Sequence, residues 1–245
     1  MDDPQQPIRR PRVIAHRGGA GVAPENTLAA FELARQQGAD GVELDVHLTR
    51  DGVPVVLHDY ALGRTAPGMG RVADKTLAEL RELDVGRWFG PDFAGQRIPT
   101  LEEVLAWARR HAMPLHVELK NLPVRYRGVE ERVLQEVRRA GADDLVSLLS
   151  FDHQAVRRVK RLAPHLCAGV CYNADPVDHV ALARAAGADA LYVAWACLRP
   201  EVVGQAHHED LRVVAWVVND AEDALGLARM GVDAVETDYP LRIRQ

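Results

Sequence analysis

Cysteine is scarce in this 245-residue chain: Cys167, Cys171 and Cys197 are the whole set, an odd number without metal-finger spacing. A disulfide framework and a cysteine-built zinc site are not expected, and Cys167 and Cys171 read as core filling in a strand. A dominant charge is missing as well. The chain has 30 basic against 35 acidic residues, a net charge of −5 and a pI near 6.1. No basic stripe offers phosphate neutralisation along a duplex, which argues against general nucleic-acid binding. The local cluster Arg157, Arg158, Lys160 and Arg161 reads as the solvated face of a helix. No apolar run is long enough to span a bilayer. The opening MDDPQQPIRRPR carries acids and three prolines but no apolar core, unlike a secretory signal peptide. These absences predict a soluble protein in a reducing, cytoplasmic setting. They set no oligomeric state. No GxSxG segment occurs, and Ser147 and Ser150 sit in an apolar run, so serine-nucleophile chemistry is not expected.

What the chain does have is a repeated turn. GADGVELD from Gly38, GADDLVSLLS from Gly141, GADALYVAWA from Gly187 and GVDAVETD from Gly231 each pass from a helical pattern through glycine into a short apolar run. Glycine closes a helix in the left-handed conformation, and the apolar run suits a buried strand. Three more helix-to-strand turns start at His111, Ala163 and His207, and RVIA before His16 opens the series. Eight strands alternating with helices in this length predict a single α/β domain over residues 1–245, a closed (β/α)₈ TIM barrel. Asp51-Gly52 between apolar arms predicts a hairpin after the second strand. Residues 60–99 break the alternation, rich in glycine and proline with one short helical pattern, DKTLAELREL, and read as a functional insertion.

In such barrels the polar residues at strand ends are the suspects. Residues two apart on a strand share a face, so Glu43 and Asp45 point together, as do Glu118 and Lys120. Inward carboxylates are costly to bury without a cation, and three from adjacent strands with no cysteine nearby suit magnesium or calcium. Salt bridges to Lys120 or Arg17 are the competing explanation. His16 ends the first strand and His58 the returning hairpin arm, and histidine exchanges protons near neutrality. Arg17 and Lys120 offer a fork and a point charge to a phosphate. The set describes metal-assisted phosphoryl transfer, one histidine deprotonating the attacking hydroxyl and the other protonating the departing alkoxide. Trp216 and Asn219 bracket the end of the seventh strand, and Trp216 is either a pocket wall or core. Tyr192 and Trp195 are similarly open. Asp238 reads as a cap or ion-pair partner, and His47 as a loop residue past the strand end.

HRGGAGVAPENTLAAF, ELDVHLTRDGVPVVLHD, RVADKTLAELRELDVG, IPTLEEVL, VELK, WVVN and the closing TDYP resemble the glycerophosphodiester phosphodiesterase family in order and spacing, from about Val13 to Pro240. The resemblance implies a (β/α)₈ barrel that hydrolyses glycerophosphodiesters to glycerol 3-phosphate and an alcohol with one divalent cation. It places His16 and His58 on the catalytic pair, Arg17 and Lys120 on the phosphate, and Glu43, Asp45 and Glu118 on the metal. Glu25 and Asn26 match the PEN motif beside the catalytic loop, and residues 60–99 the family's insertion. Val217 and the Glu209-Asp210 turn depart from common family choices. The alternatives are lysophospholipase D action on a single-chain lipid, which needs an apolar channel, and a silent barrel that only binds phosphodiesters. The expected partner is a small-molecule substrate, with no nucleic acid and no stable membrane insertion.

Overall fold

A computed structural model describes residues 9–244, so the first eight residues of the MDDPQQPIRRPR stretch lie outside the described residues. Eight parallel strands close on themselves: β1 (Arg12–Ala15), β2 (Gly41–Leu48), β4 (Leu115–Leu119), β5 (Val146–Ser150), β6 (Cys167–Tyr172), β7 (Ala190–Ala194), β8 (Arg212–Trp216) and β9 (Ala234–Thr237), with β9 and β2 both pairing with β1. Between β2 and β4, β3 (Pro54–Val56) folds back antiparallel on β2, as the Asp-Gly signal predicts. Helices follow each barrel strand: α1 (Leu28–Gln36), α3 (Leu101–His111), α4 (Val129–Ala140), α5 (His153–Leu162), α6 (His179–Ala186), α7 (Pro200–His208), α8 (Ala221–Met230) and α9 (Pro240–Arg244). The short α2 (Leu77–Arg81) stands in the insertion, started by a reciprocal Thr76–Glu79 capping box.

The repeated turn has a double function. Gly38, Gly141, Gly187 and Gly231 all take positive φ, closing helices as expected. In three of the four turns the aspartate also latches the neighbouring strand. Asp40, Asp189 and Asp233 each accept the backbone N–H of Val13, Ala168 and Val213 respectively at 2.8 Å. Each also donates its own N–H to the carbonyl of that same residue, at 2.8, 2.7 and 2.9 Å. A side chain thus satisfies the first donor of a strand that sheet pairing leaves open. At the turn before β8, Asp210 itself adopts φ 57°, one of the few residue types that tolerates it.

Strand parity divides the core. Val42, Leu44 and Val46 face outward into the main cluster beneath the helices, with Leu105, Trp107 and Val133. Inside the barrel, Ile14, Ala190, Tyr192, Val214 and Ala234 form an apolar floor, which settles Tyr192 as core. Its ring fits because β6 carries Gly169, where a Cβ would stand 2.4 Å from Tyr192 Cε2. Trp195, by contrast, is exposed. The insertion has a small core of its own, Val55, Leu57, Ala66, Val72, Leu80, Val85 and Ile98. Each valine, leucine or isoleucine among them contributes about 1.5–3 kcal/mol when buried, so the segment is held in place over the barrel mouth. Of the basic cluster on α5, Arg157 and Arg161 are solvated, but Lys160 is a correction: its ammonium bonds both carboxylate oxygens of Asp189, at 3.0 and 2.8 Å, and the Leu166 carbonyl at 3.0 Å. A helical period cannot reveal a partner on the next β-turn.

Candidate active site

The chain leaves β1 into a tight turn, His16–Gly18, in which Arg17 takes the left-handed φ of 51°. That conformation is uncommon for a residue with a side chain, and it aims the Arg17 N–H at Glu43 Oε2, 2.8 Å away. Gly18 follows at φ 84°, where a Cβ would lie 2.7 Å from Phe31 on α1. The turn is therefore pinned between the helix and the second strand.

Glu43 and Asp45 on β2 and Glu118 on β4 converge inside the barrel. One carboxylate oxygen from each lies within 4.8 Å of the others, and all three residues are buried. Lys120 bridges two of them, its ammonium 3.0 Å from Asp45 Oδ1 and 3.0 Å from Glu118 Oε1. Asn26 donates its amide to Asp45 Oδ2 at 2.7 Å. Burial works against ionisation of Asp45, yet Lys120 and Arg17 outweigh it and hold its carboxyl far below the usual range. The other two respond in the opposite direction. Burial, then the charges of Asp45, Glu236 and Glu118, push the Glu43 carboxyl well up, and burial raises Glu118 to about 7. Glu236 on β9 adds a fourth buried carboxylate, accepting the Nδ1–H of His116 at 2.9 Å. Four acids facing Arg17 and Lys120 leave an excess of carboxyl groups over cations in a buried interior. An all-oxygen donor set with that excess fits a hard divalent cation.

Both histidines are backed by carboxylates. His16 Nδ1–H donates to Asp238 Oδ1 at 2.7 Å, and His58 Nδ1–H donates to Asp59 Oδ1 at 2.7 Å. Asn219 holds Asp238 in place, donating to its Oδ2 at 2.8 Å and accepting its backbone N–H at 2.8 Å. Although burial opposes it, Asp59 is lowered to about 2 by Arg64 and His58, and Asp238 is lowered by His16. Near neutral pH these carboxylates carry no proton, so the proton in each bond belongs to the imidazole. Nε2 is then the nitrogen free to exchange a proton.

A cavity of about 120 Å³ gathers His16, Arg17, Glu43, His58, Glu118, Lys120 and Trp216 around one space, with Asp45 just beneath. Trp216 forms part of its wall, edge-on to Phe151 with ring centroids 5.5 Å apart, and its buried Nε1–H has no partner among the described residues. A larger chamber of about 810 Å³ adjoins it and shares His58, Glu118, Lys120 and Phe151. Of the two, the smaller cavity is the one that reaches Glu43, His16 and Arg17.

Asp59 and Glu236 escape the sequence reading, whereas Asp238, read there as a cap or ion-pair partner, is the ion-pair partner of His16. Asp59 directly follows His58, and Glu236 shares the inward face of β9 with Ala234, the same parity signal that singles out Glu43. His47 is a second correction. It lies within β2, opposite Val55 of the hairpin, and is buried rather than in a loop. Burial lowers it to about 4, so it stays neutral, donating Nε2–H to the His58 carbonyl at 3.0 Å and accepting the Tyr126 hydroxyl at 2.8 Å. The hairpin arms pair up to the turn itself, which carries the strand past the point where the apolar pattern ends.

Fold and site together define a (β/α)₈ barrel whose mouth combines a buried acid cluster with two carboxylate-backed histidines. A profile of the glycerophosphoryl diester phosphodiesterase family matches residues 16–242. A glycerophosphodiester phosphodiesterase of Caldanaerobacter subterraneus subsp. tengcongensis is 40% identical, over 93% of this chain and 94% of its own. An Oleispira antarctica phosphodiesterase, solved in complex with the product sn-glycerol-3-phosphate, superposes with a TM-score of 0.88 at 36% identity, covering 96% of each chain. A glycerophosphodiester phosphodiesterase from Agrobacterium tumefaciens str. C58 gives 0.83 at 29% identity, over 95% of this chain and 98% of that one. The chain belongs to the glycerophosphoryl diester phosphodiesterase family.

Proposed function

We propose that this protein hydrolyses glycerophosphodiesters to glycerol 3-phosphate and an alcohol, with one magnesium or calcium ion held by Glu43, Asp45 and Glu118. The observation that carries the reading is the pair of carboxylate-backed histidines lining the same small cavity as the buried acids. Family membership and the product-bound Oleispira relative support it.

When bound, the cation would neutralise charge developing on the phosphoryl oxygens. Arg17 and Lys120 bind the phosphate anion, and Trp216 walls the glycerol end with a free N–H for a substrate oxygen. One histidine takes on Nε2 the proton of the attacking hydroxyl, that of water or of the glycerol moiety, as its oxygen bonds to phosphorus. The bond from phosphorus to the alcohol oxygen breaks, and the other histidine delivers its Nε2 proton to that oxygen. Where the glycerol hydroxyl attacks, water then opens the cyclic phosphate to glycerol 3-phosphate. Asp59 and Asp238 hold each ring in the tautomer this exchange requires.

The larger chamber favours a second substrate class. Tyr60, Leu62, Leu122 and Phe151 give it an apolar wall beside the reacting groups, the feature a lysophospholipase D would need for a single acyl chain. Among the described residues no helix is long and apolar enough to cross a membrane. The three free thiols fit the reducing cytoplasm, where we place the enzyme. Glycerol 3-phosphate release from glycerophosphocholine, beside choline release from lysophosphatidylcholine, tests both readings with His16→Ala as control. Release from the first substrate, lost in the variant, supports the main reading. Turnover of the lysolipid alone supports the second, and turnover of neither defeats both.

A further inference from the structure

The insertion contributes one side chain to the ion pairs behind the reacting groups. Arg64 sits on a tight loop braced by an antiparallel bridge between Ala61 and Arg71 and by the Gly63 N–H donating to the Ala66 carbonyl at 2.8 Å. Its guanidinium serves two carboxylates at once. Nη1 and Nη2 donate to Glu25 Oε2 and Oε1 at 2.7 and 2.8 Å, and Nε and Nη2 donate to Asp59 Oδ2 and Oδ1 at 2.7 and 3.0 Å. Asp59 is the acid that holds His58. Glu25 also accepts Arg17 Nη1 at 3.0 Å, and Arg17 reaches Asp45 through Nε at 3.6 Å. A chain of contacts therefore runs Arg17–Glu25–Arg64–Asp59–His58, with Arg64 at its centre.

We propose that Arg64 is a positioning residue, locking His58 and Arg17 into one ion-pair network so that the seating of the insertion sets the alignment of the reacting groups. The inference rests on the proposed role of His58. Glu25 is 7% exposed; Arg64 donates to both of its oxygens, and Arg17 shares Oε1. Without Arg64 the whole negative charge of Glu25 falls on Arg17 and draws it from the phosphate. Asp59 is only partly buried, and it loses two of its donors and with them its fixed rotamer. His58 then no longer has one preferred tautomer. Both ends of the reaction suffer from one change: phosphate affinity through Arg17 and proton exchange through His58. A planar fork can hold two carboxylates in fixed directions, whereas an ammonium cannot.

The test compares Arg64→Ala and Arg64→Lys with Arg81→Ala. Arg81 ties the same insertion to Glu103 and the Ile98 carbonyl, away from the network. Two readouts are taken: steady-state kcat and KM for glycerophosphocholine, and the nitrogen shifts of the His58 ring in histidine-labelled protein. For Arg64→Ala we expect kcat/KM to fall about 10–100-fold, the usual cost of losing a group that orients a functional ligand. The fall should be shared between kcat and KM, and the His58 shifts should move from the Nδ1–H form to a mixture. Arg64→Lys should fold like wild type and recover little, and Arg81→Ala should leave the His58 signal in place. An unchanged His58 signal in both Arg64 variants overturns the proposal, as does an equal loss in Arg81→Ala. Full recovery in Arg64→Lys overturns the two-carboxylate clamp. If wild type itself shows no turnover, the proposed function fails and the His58 signal alone decides the role of Arg64.

Discussion

The two arcs of the barrel mouth are built from different chemistry. Strands β9, β1, β2 and β4, adjacent in the sheet, carry on them or just beyond them Glu236, Asp238, His16, Arg17, Glu43, Asp45, Glu118 and Lys120. Strands β5 to β8 offer the same cavity Leu149, Phe151, Cys171 and Trp216. In the proposed reaction the charged arc would carry the proton exchange and the cation, and the apolar arc would limit the water around them. The second property strengthens the first, because charges interact far more strongly away from water. It also explains why Glu43 and Glu118 are raised: the apolar wall denies them hydration, and too few cations face them.

The comparison predicts that the arcs fail differently. The largest effect belongs to the histidines: His16→Ala or His58→Ala should lower kcat by about 10²–10⁴-fold, whereas Phe151→Ala should act mainly on KM. Wild-type-like turnover in either histidine variant would remove it from the mechanism. Next come the carboxylates. Glu43→Gln or Glu118→Gln should weaken divalent-cation binding by about 10-fold or more in calorimetry, and an unaltered titration would show the ligand set to be wrong. Stability, not chemistry, should register damage to the apolar arc. Gly169→Ala forces a methyl against the Tyr192 ring and should cost about 1–3 kcal/mol in urea unfolding, the penalty of overpacking. No loss would mean that the floor can yield.

The smallest effect concerns the insertion. Asp84 accepts the N–H groups of Gly86, Arg87 and Gly95 at 3.0, 3.0 and 2.9 Å, and those bonds depress its carboxyl far below the usual value. A depressed acid stabilises the folded state above its unfolded pKa, about 3.9, and that contribution is lost as pH falls below it. Amide exchange at Gly95 should therefore accelerate, relative to other amides, between about pH 4 and pH 2. Asp84→Asn should exchange faster already at neutral pH and lose that pH dependence; a variant matching wild type throughout would deny the latch.

Much of this was legible in the sequence because the signals are local. Glycine turns, strand parity and the Asp-Gly hairpin each depend on a few consecutive residues, and they place the barrel and bring His16, His58, Glu43, Asp45 and Glu118 to one mouth. What escaped depends on tertiary pairing. His16 and Asp238 lie 222 positions apart, and only closure of β9 onto β1 brings them into contact. Arg64 sits in a glycine-rich stretch that, read alone, predicts only a loop. His47 was misread because the end of a strand is set by its hairpin partner, not by its own apolar pattern.

In the proposed function the charged arc works with a bound cation. The most direct measurement is the rate of glycerol 3-phosphate release from glycerophosphocholine by chelator-treated protein as magnesium or calcium is added back, with Glu43→Gln alongside. We expect no release in chelator, saturable recovery with one of the ions, and a curve displaced to higher concentration in the variant. Full activity in chelator, or identical curves for the two proteins, would contradict that function.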